Sequence, residues 1–235
     1  MNPYNPYAQP MAGAQVRPDT NAFFRKVYAY MAGGLFATGV TATVVASSET
    51  LVNMILGNRI VFYGLLIAEF VMVLAFSKVV ERLSTAAAAA FFFAYAVLNG
   101  LTLSVIFMIY TASSIGSTFF VTAGTFGALS AYGYVTKRDL TGVGNFAMMG
   151  LFGLIIASVV NIFLNSPMIY WLTTFVGVIV FTALTAYDTQ KLKQFAASTT
   201  APDQQSKVAL QGALMLYLDF INLFLYLLRL LGRRR

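Results

Sequence analysis

The 235-residue chain contains neither cysteine nor histidine. It therefore has no means of forming a disulfide bond, a thiolate nucleophile, a histidine-ligated zinc or haem site, or a Ser-His-Asp triad. Walker loops, dinucleotide-binding fingerprints and nucleophile elbows are also missing from the sequence. We expect no enzymatic activity and no tightly bound cofactor. Any metal ion would be a hard cation held by oxygen atoms, such as calcium or magnesium.

Charged residues are scarce as well. They make up 10% of the chain, whereas 59% of the residues are hydrophobic. A soluble domain has roughly 25% charged and about 45–50% apolar residues. So little charge cannot cover a surface that faces water, and the composition therefore predicts an all-α membrane protein in contact with lipids. The net charge of +7 arises from basic residues between apolar runs, which is typical of membrane loops and argues against nucleic-acid binding.

The apolar runs divide the chain into three parts. Residues 1–22 hold four of the six prolines, have no helical periodicity and are predicted to form a disordered tail. Residues 23–232 form the predicted transmembrane domain, and residues 233–235 form a basic tail. A membrane helix needs about 20 apolar residues, and we predict seven such helices, at residues 27–48, 60–77, 83–110, 115–135, 145–164, 168–196 and 208–228.

The distribution of lysine and arginine predicts the orientation of these helices. With seven crossings, ten basic residues fall on the N-terminal side and five on the other side. Cytoplasmic loops carry the excess of positive charge, so we expect a cytoplasmic N-terminus. If the last segment were re-entrant, Arg229 and the three terminal arginines would join the N-terminal side and the ratio would become fourteen to one. That segment is long enough to cross, and we favour seven crossings.

Three of the eight acidic residues lie inside predicted helices, namely Glu69, Asp188 and Asp219. A charged aspartate at the centre of a membrane helix costs about 2.5–3.5 kcal/mol, and protonating an ordinary aspartate at neutral pH costs about 4 kcal/mol. Neither state is clearly favoured, so Asp219 needs a partner. The sixth and seventh helices form a hairpin, which puts Asp188 roughly 12 Å and Asp219 roughly 16 Å from the same membrane face.

At these depths Asp188 and Asp219 can meet, share a proton and titrate as a pair, which would make them a pH sensor. The alternative is that Asp188 pairs with Lys191, three residues further on. The two aspartates also offer a hard cation a weak site, because calcium prefers six to eight oxygen ligands. Weak binding suits passage better than storage, and protons would compete with the cation.

Other polar residues in the apolar runs have two interpretations each. Glu69 and Arg229 are predicted to form either a structural ion pair or part of a pathway. Asn99 and Thr102 on the third helix, Asn161 on the fifth and Asn222 on the seventh either line a conduction path or make interhelical hydrogen bonds.

Several segments resemble the transmembrane Bax inhibitor motif family, also called the Bax inhibitor-1 family, and its bacterial inner-membrane members in particular. They are GALMLYLDFINLFLYLLRLLG (212–232), FTALTAYDTQKLK (181–193), NGLTLSVIF (99–107) and TAGTFGALSAYGYVTKRDL (122–140). The resemblance implies a seven-helix bundle with two three-helix layers around the last helix. It also implies a pH-sensitive calcium leak, with its aspartate pair at Asp188 and Asp219.

The same resemblance places a glutamate at Glu69 and an arginine at Arg229. Some members carry a latch arginine at the cytoplasmic end of the second helix, where this chain has Val80. Lys78 and Arg82 on either side are the candidate substitutes.

The sequence therefore predicts a pH-gated calcium leak channel in the bacterial inner membrane. Two alternatives remain. One is a regulatory membrane protein that binds a membrane-bound protease or a stress-response partner, and the other is a proton-coupled transporter of a small solute.

Overall fold

The computed structural model describes residues 19–198 and 202–235, which are helical almost throughout and contain no β-strand. The helices are α1 (Thr20–Ala46), α2 (Glu49–Ile55), α3 (Arg59–Val79), α4 (Thr85–Leu103), α5 (Val105–Ile109), α6 (Ala112–Val135), α7 (Thr141–Leu164), α8 (Pro167–Ser198) and α9 (Pro202–Leu231).

Two helices, α1 and α9, begin before their apolar runs, and in both cases the residue at the helix start explains the difference. α1 begins at Thr20, within the predicted tail, because the Asp19 side chain accepts hydrogen bonds from the amides of Asn21 and Ala22 at 3.0 Å. Residues 1–18 of that tail lie outside the described residues. α9 begins at Pro202, since proline lacks an N–H group that the first helical turn does not need. Both helices are therefore longer than their apolar runs.

The third apolar run is not one continuous helix. α4 ends at Leu103, and after Ser104 the short helix α5 continues to Ile109. The Ser104 hydroxyl donates to the Leu101 carbonyl oxygen at 2.6 Å. A serine side chain that competes in this way for backbone acceptors weakens the regular helix.

Six helices of the described chain are long and apolar enough to cross a membrane: α1, α3, α4 together with α5, α7, α8 and α9. This confirms that the protein is an all-α membrane protein. The remaining long helix, α6, has 24 residues but many serines, threonines and glycines. Its buried hydroxyl residues Thr118, Thr122 and Ser130 face the bundle.

Helix α9 is the hub of the bundle, since it packs against α1, α4, α6 and α8. α1 and α3 pack on α4, while α6 and α7 pack on α8. Gly133 allows α6 to approach the Ala186 carbonyl group so closely that no Cβ would fit between them. Large apolar side chains such as Phe36, Phe120 and Phe163 point outward and are 74%, 75% and 80% exposed, as expected of a surface that faces lipid.

The bundle has two ends, which we call the N-terminal face and the C-terminal face. At the N-terminal face, Lys26 at the start of α1 donates to the Ser206 hydroxyl at 3.3 Å, and Lys193 near the end of α8 donates to the Tyr134 carbonyl oxygen at 2.7 Å. The end of α8 and the start of α9 both lie at this end and the two helices pack on each other, so they form the predicted hairpin.

At the C-terminal face, the chain after α9 runs beside the α5–α6 connection. An isolated antiparallel bridge pairs Tyr110 with Arg234. α9 has no break and extends from one face to the other.

Candidate functional site: an aspartate pair and a polar cavity

Asp188 on α8 and Asp219 on α9 lie side by side within the bundle. They are only 9% and 5% exposed, and their carboxyl groups lie close enough to act on each other. A carboxylate only accepts hydrogen bonds, so a hydrogen bond between these two groups requires a proton on one of them. The second carboxyl oxygen of Asp219, Oδ2, is buried and has no hydrogen-bond partner. Loss of the one proton that the two carboxyl groups can share would therefore add a negative charge to the pair.

Few groups around the two aspartates offset their negative charge. Lys191, one helical turn beyond Asp188, is the basic residue whose charge acts on it. Its ammonium group lies 5.8 Å from the ring centres of both Tyr187 and Phe195. The neighbouring Thr189 hydroxyl is engaged elsewhere, with Ser130 at 3.1 Å and the Thr185 carbonyl oxygen at 2.8 Å.

The pair could hold a cation only weakly. No group of three or more acidic side chains able to hold a metal ion occurs among residues 19–198 and 202–235. Calcium prefers six to eight oxygen ligands. Asp188 and Asp219 alone would therefore leave most ligand positions to water and backbone oxygens.

A polar cavity of about 600 Å³ occupies the half of the bundle near the C-terminal face. Five residues singled out by the sequence analysis line it: Glu69, Asn99, Thr102, Asn222 and Arg229. The Glu69 carboxylate accepts hydrogen bonds from the Asn99 amide at 3.1 Å and from the Thr102 hydroxyl at 2.6 Å. Polar side chains from α3, α4 and α9 thus meet around one space.

The hydrogen bonds continue from the cavity into the centre of the bundle. The Tyr217 hydroxyl on α9 donates to the Asn99 side-chain oxygen at 2.9 Å and lies 2.6 Å from the Thr38 hydroxyl on α1. Glu69, which is partly buried, and the buried residues Asn99, Tyr217 and Thr38 therefore form a polar chain across four helices. The sequence analysis did not identify Tyr217. The sequence feature that could have identified it is a hydroxyl group among the apolar residues of the last helix.

Arg229 shares the polar cavity with Glu69, but its described contacts are with tyrosines. Its guanidinium group lies 5.7 Å from the ring centre of Tyr170 and 5.2 Å from that of Tyr226. Asn161 lies elsewhere, at the turn between α7 and α8, where its side-chain oxygen accepts from the Ser166 amide at 2.8 Å.

The sequence of the whole helical part matches one family. The family model described as "Inhibitor of apoptosis-promoting Bax1" matches residues 20–235. The chain belongs to this Bax inhibitor-1 family.

Relatives of this Bax inhibitor-1 family member include the inner membrane protein YbhL of Escherichia coli, which is 47% identical over 97% of this chain and 95% of its own length. An uncharacterized protein of Rickettsia prowazekii is 44% identical, with coverage of 91% and 90%. An uncharacterized membrane protein of Streptococcus pyogenes is 35% identical, with coverage of 91% and 93%. None of these three names is that of an enzyme.

In this Bax inhibitor-1 family member, the residue at the latch position and the two candidate basic residues beside it differ in burial. Val80 is fully buried, whereas Lys78 and Arg82 are exposed at the N-terminal face. The conformation described here therefore places neither basic side chain among the buried residues around Asp188 and Asp219.

Proposed function

We propose that the protein is a pH-sensitive calcium leak channel of the bacterial inner membrane, without catalytic activity, and that Asp188 and Asp219 are its gate. The observation that carries the proposal is the contact between two buried carboxyl groups on the antiparallel helices α8 and α9. In this proposal α6 also crosses the membrane, which gives seven crossings in two three-helix layers around α9, with a cytoplasmic N-terminus.

The gating step follows from electrostatics. While the two carboxyl groups share one proton, a hydrogen bond holds α8 to α9 near the N-terminal face. When the proton leaves, two negative charges face each other in an environment of low dielectric constant, where their repulsion is much stronger than in water. The helices then separate, so the leak should increase as pH rises.

The polar cavity provides the other half of the proposed path. It opens near the C-terminal face and reaches Glu69, while the aspartate pair closes the N-terminal half. Calcium is the transported ion, and protons compete with it for the same carboxyl oxygens. Two carboxylates without a rigid loop bind calcium weakly, which permits release as well as entry.

The proposed location rests on two supports. The relative from Escherichia coli is named as an inner membrane protein. Ten of the fifteen lysines and arginines would lie on the N-terminal side, which is the bias expected of a cytoplasmic side.

The direct test is calcium entry into proteoliposomes that contain the purified chain and a trapped calcium indicator, from about pH 6 to 8, where a coupled carboxyl pair can titrate. Asp219→Asn keeps the shape of the side chain but removes its titration. We expect the leak of the native protein to rise with pH and that of the variant to be insensitive to pH. Asp139→Asn, in the exposed α6–α7 loop, is the matched control and should behave like the native protein.

An unchanged pH dependence in Asp219→Asn would defeat the gating mechanism. No calcium flux at any pH, from protein shown to be folded and inserted, would favour the regulatory alternative. In that case the protein would act by binding a membrane-bound protease or another membrane partner.

A further inference from the structure

We propose that the C-terminal face carries a binding site for a phosphate group. Arg229 and Arg234 form the site, which lies beside the first turn of α8. The site is a second cavity of about 630 Å³, next to the polar cavity described above. Both arginines line it, together with Asn161, Ser166, Tyr170 and Trp171.

Two guanidinium groups converge on one tyrosine at this site. The guanidinium carbons of Arg229 and Arg234 lie 5.7 and 5.9 Å from the ring centre of Tyr170, and Arg234 donates to the Tyr170 hydroxyl at 3.0 Å. Within the described ranges, the contacts of both guanidinium groups are with tyrosines and none is an ion pair with a carboxylate. Two cations that line one cavity and form no ion pair with a carboxylate favour an anion in that cavity.

The position of Arg234 is fixed by its backbone. The bridge to Tyr110 is flanked by hydrogen bonds from the Thr111 amide to the Arg233 carbonyl oxygen at 3.1 Å and from the Arg235 amide to the Ile109 carbonyl oxygen at 3.0 Å. The terminal segment is thus attached to the α5–α6 connection. This attachment reduces the entropy that Arg234 would lose when it binds a ligand.

The start of α8 adds to the attraction for an anion. α8 has 32 residues and begins at Pro167, so the positive end of its helix dipole lies at the cavity. A guanidinium group donates two parallel hydrogen bonds to phosphate oxygens, a geometry that suits phosphate particularly well. Trp171 is 46% exposed beside the site, as is common where a helix passes the headgroup region of a membrane.

The ligand class is therefore a phosphate group, carried either by a lipid headgroup or by free inorganic phosphate. Two measurements separate these sources. The first is native mass spectrometry of the full chain released from nanodiscs that contain phosphatidylglycerol and phosphatidylcholine, to count retained lipids of each kind. The second is thermal unfolding in detergent with inorganic phosphate, compared with chloride at equal ionic strength.

The variants are Arg234→Gln and its matched control Arg233→Gln, which removes the same charge from the neighbouring residue. We expect the native protein and R233Q to retain phosphatidylglycerol, or to be stabilised by inorganic phosphate, whereas R234Q binds about tenfold more weakly because a charge-assisted hydrogen bond is lost. Retention of lipid alone identifies the headgroup as the source, and stabilisation by inorganic phosphate alone identifies the free ion.

Equal losses in R233Q and R234Q would overturn the proposal, because they would reflect only the total charge of the tail. Absence of binding in both measurements would also overturn it. If R234Q does not fold, Arg229→Gln is compared with Arg59→Gln, an exposed arginine at the start of α3. Preferential loss in R229Q supports the site, and equal behaviour of these two variants rejects it.

Discussion

Glu69 and Asp219 are both acidic residues within membrane helices, but the structure accommodates them in opposite ways. Glu69 lies at a polar cavity and accepts one hydrogen bond from Asn99 and one from Thr102. Asp219 is 5% exposed, has an unpartnered Oδ2 atom and lies against a second acid. Neutral donors stabilise a carboxylate without a change of protonation, whereas two carboxyl groups in contact need a shared proton.

The difference separates an acid that has its own neutral donors from the acid that we propose as the pH switch. The polar chain from Glu69 through Asn99 and Tyr217 to Thr38 ties four helices together and contains its own donors. The aspartate pair joins only α8 and α9, and a hydrogen bond between its two carboxyl groups needs one proton. A pH-responsive protein needs a contact that depends on a proton, at a place where helices can separate.

The largest predicted effect concerns which end of the bundle faces which side of the membrane. The chain has no native cysteine, so Ala112→Cys at the C-terminal face and Ala197→Cys at the N-terminal face give single labelling sites at exposed positions. In intact bacterial cells, an impermeant maleimide should label A112C and leave A197C unlabelled. Permeabilised cells, in which both should react, are the control. The reverse pattern would invert the proposed orientation and place the aspartate pair near the outer side.

The second prediction compares how much Glu69 and Asp219 contribute to the free energy of unfolding. Glu69→Leu leaves the Asn99 amide without its acceptor and should lower the free energy of unfolding by about 2 kcal/mol, since a buried unpaired polar group costs about 1–3 kcal/mol. Asp219→Asn should change it by less than about 1 kcal/mol, because the new amide can donate to Asp188. Unfolding in mixed micelles at neutral pH measures both. Equal losses would mean that both acids are structural.

The smallest effect concerns an exposed carboxylate with two neutral donors. Asp139 accepts from the Thr141 hydroxyl at 2.6 Å and from the Thr141 amide at 2.9 Å, and these bonds lower the pKa of Asp139 below its ordinary value. The stabilisation is therefore present above the unfolded pKa and disappears as pH falls through the lower folded pKa.

Thermal unfolding of Asp139→Ala measures this contribution. The variant should unfold at a slightly lower temperature than the native protein at pH values well above the ordinary carboxyl pKa of about 4. The gap should close in acid. A gap that stays the same at all pH values would assign the effect to the shape of the α6–α7 turn and not to the charge.

The sequence was sufficient for the parts of the fold that depend on local composition. Long apolar runs predicted the membrane helices, and the polar segment 198–207 between two of them implied the α8–α9 hairpin. The depths of Asp188 and Asp219 followed from the rise per residue of a helix. The break at Ser104 and the short helix α2 were missed, because such features depend on single hydrogen bonds that the average hydropathy of a segment does not report.

The sequence by itself determined that this is an apolar helical protein with three acids inside its spans, because the cost of placing charge or unpaired backbone in lipid acts on each segment separately. Only the tertiary structure decided which acid meets neutral donors and which meets another acid. It also decided that Tyr217 reaches Asn99 and that Arg234 reaches Tyr170. These contacts depend on how each helix is rotated about its axis, and that rotation is set by packing against neighbours distant in sequence.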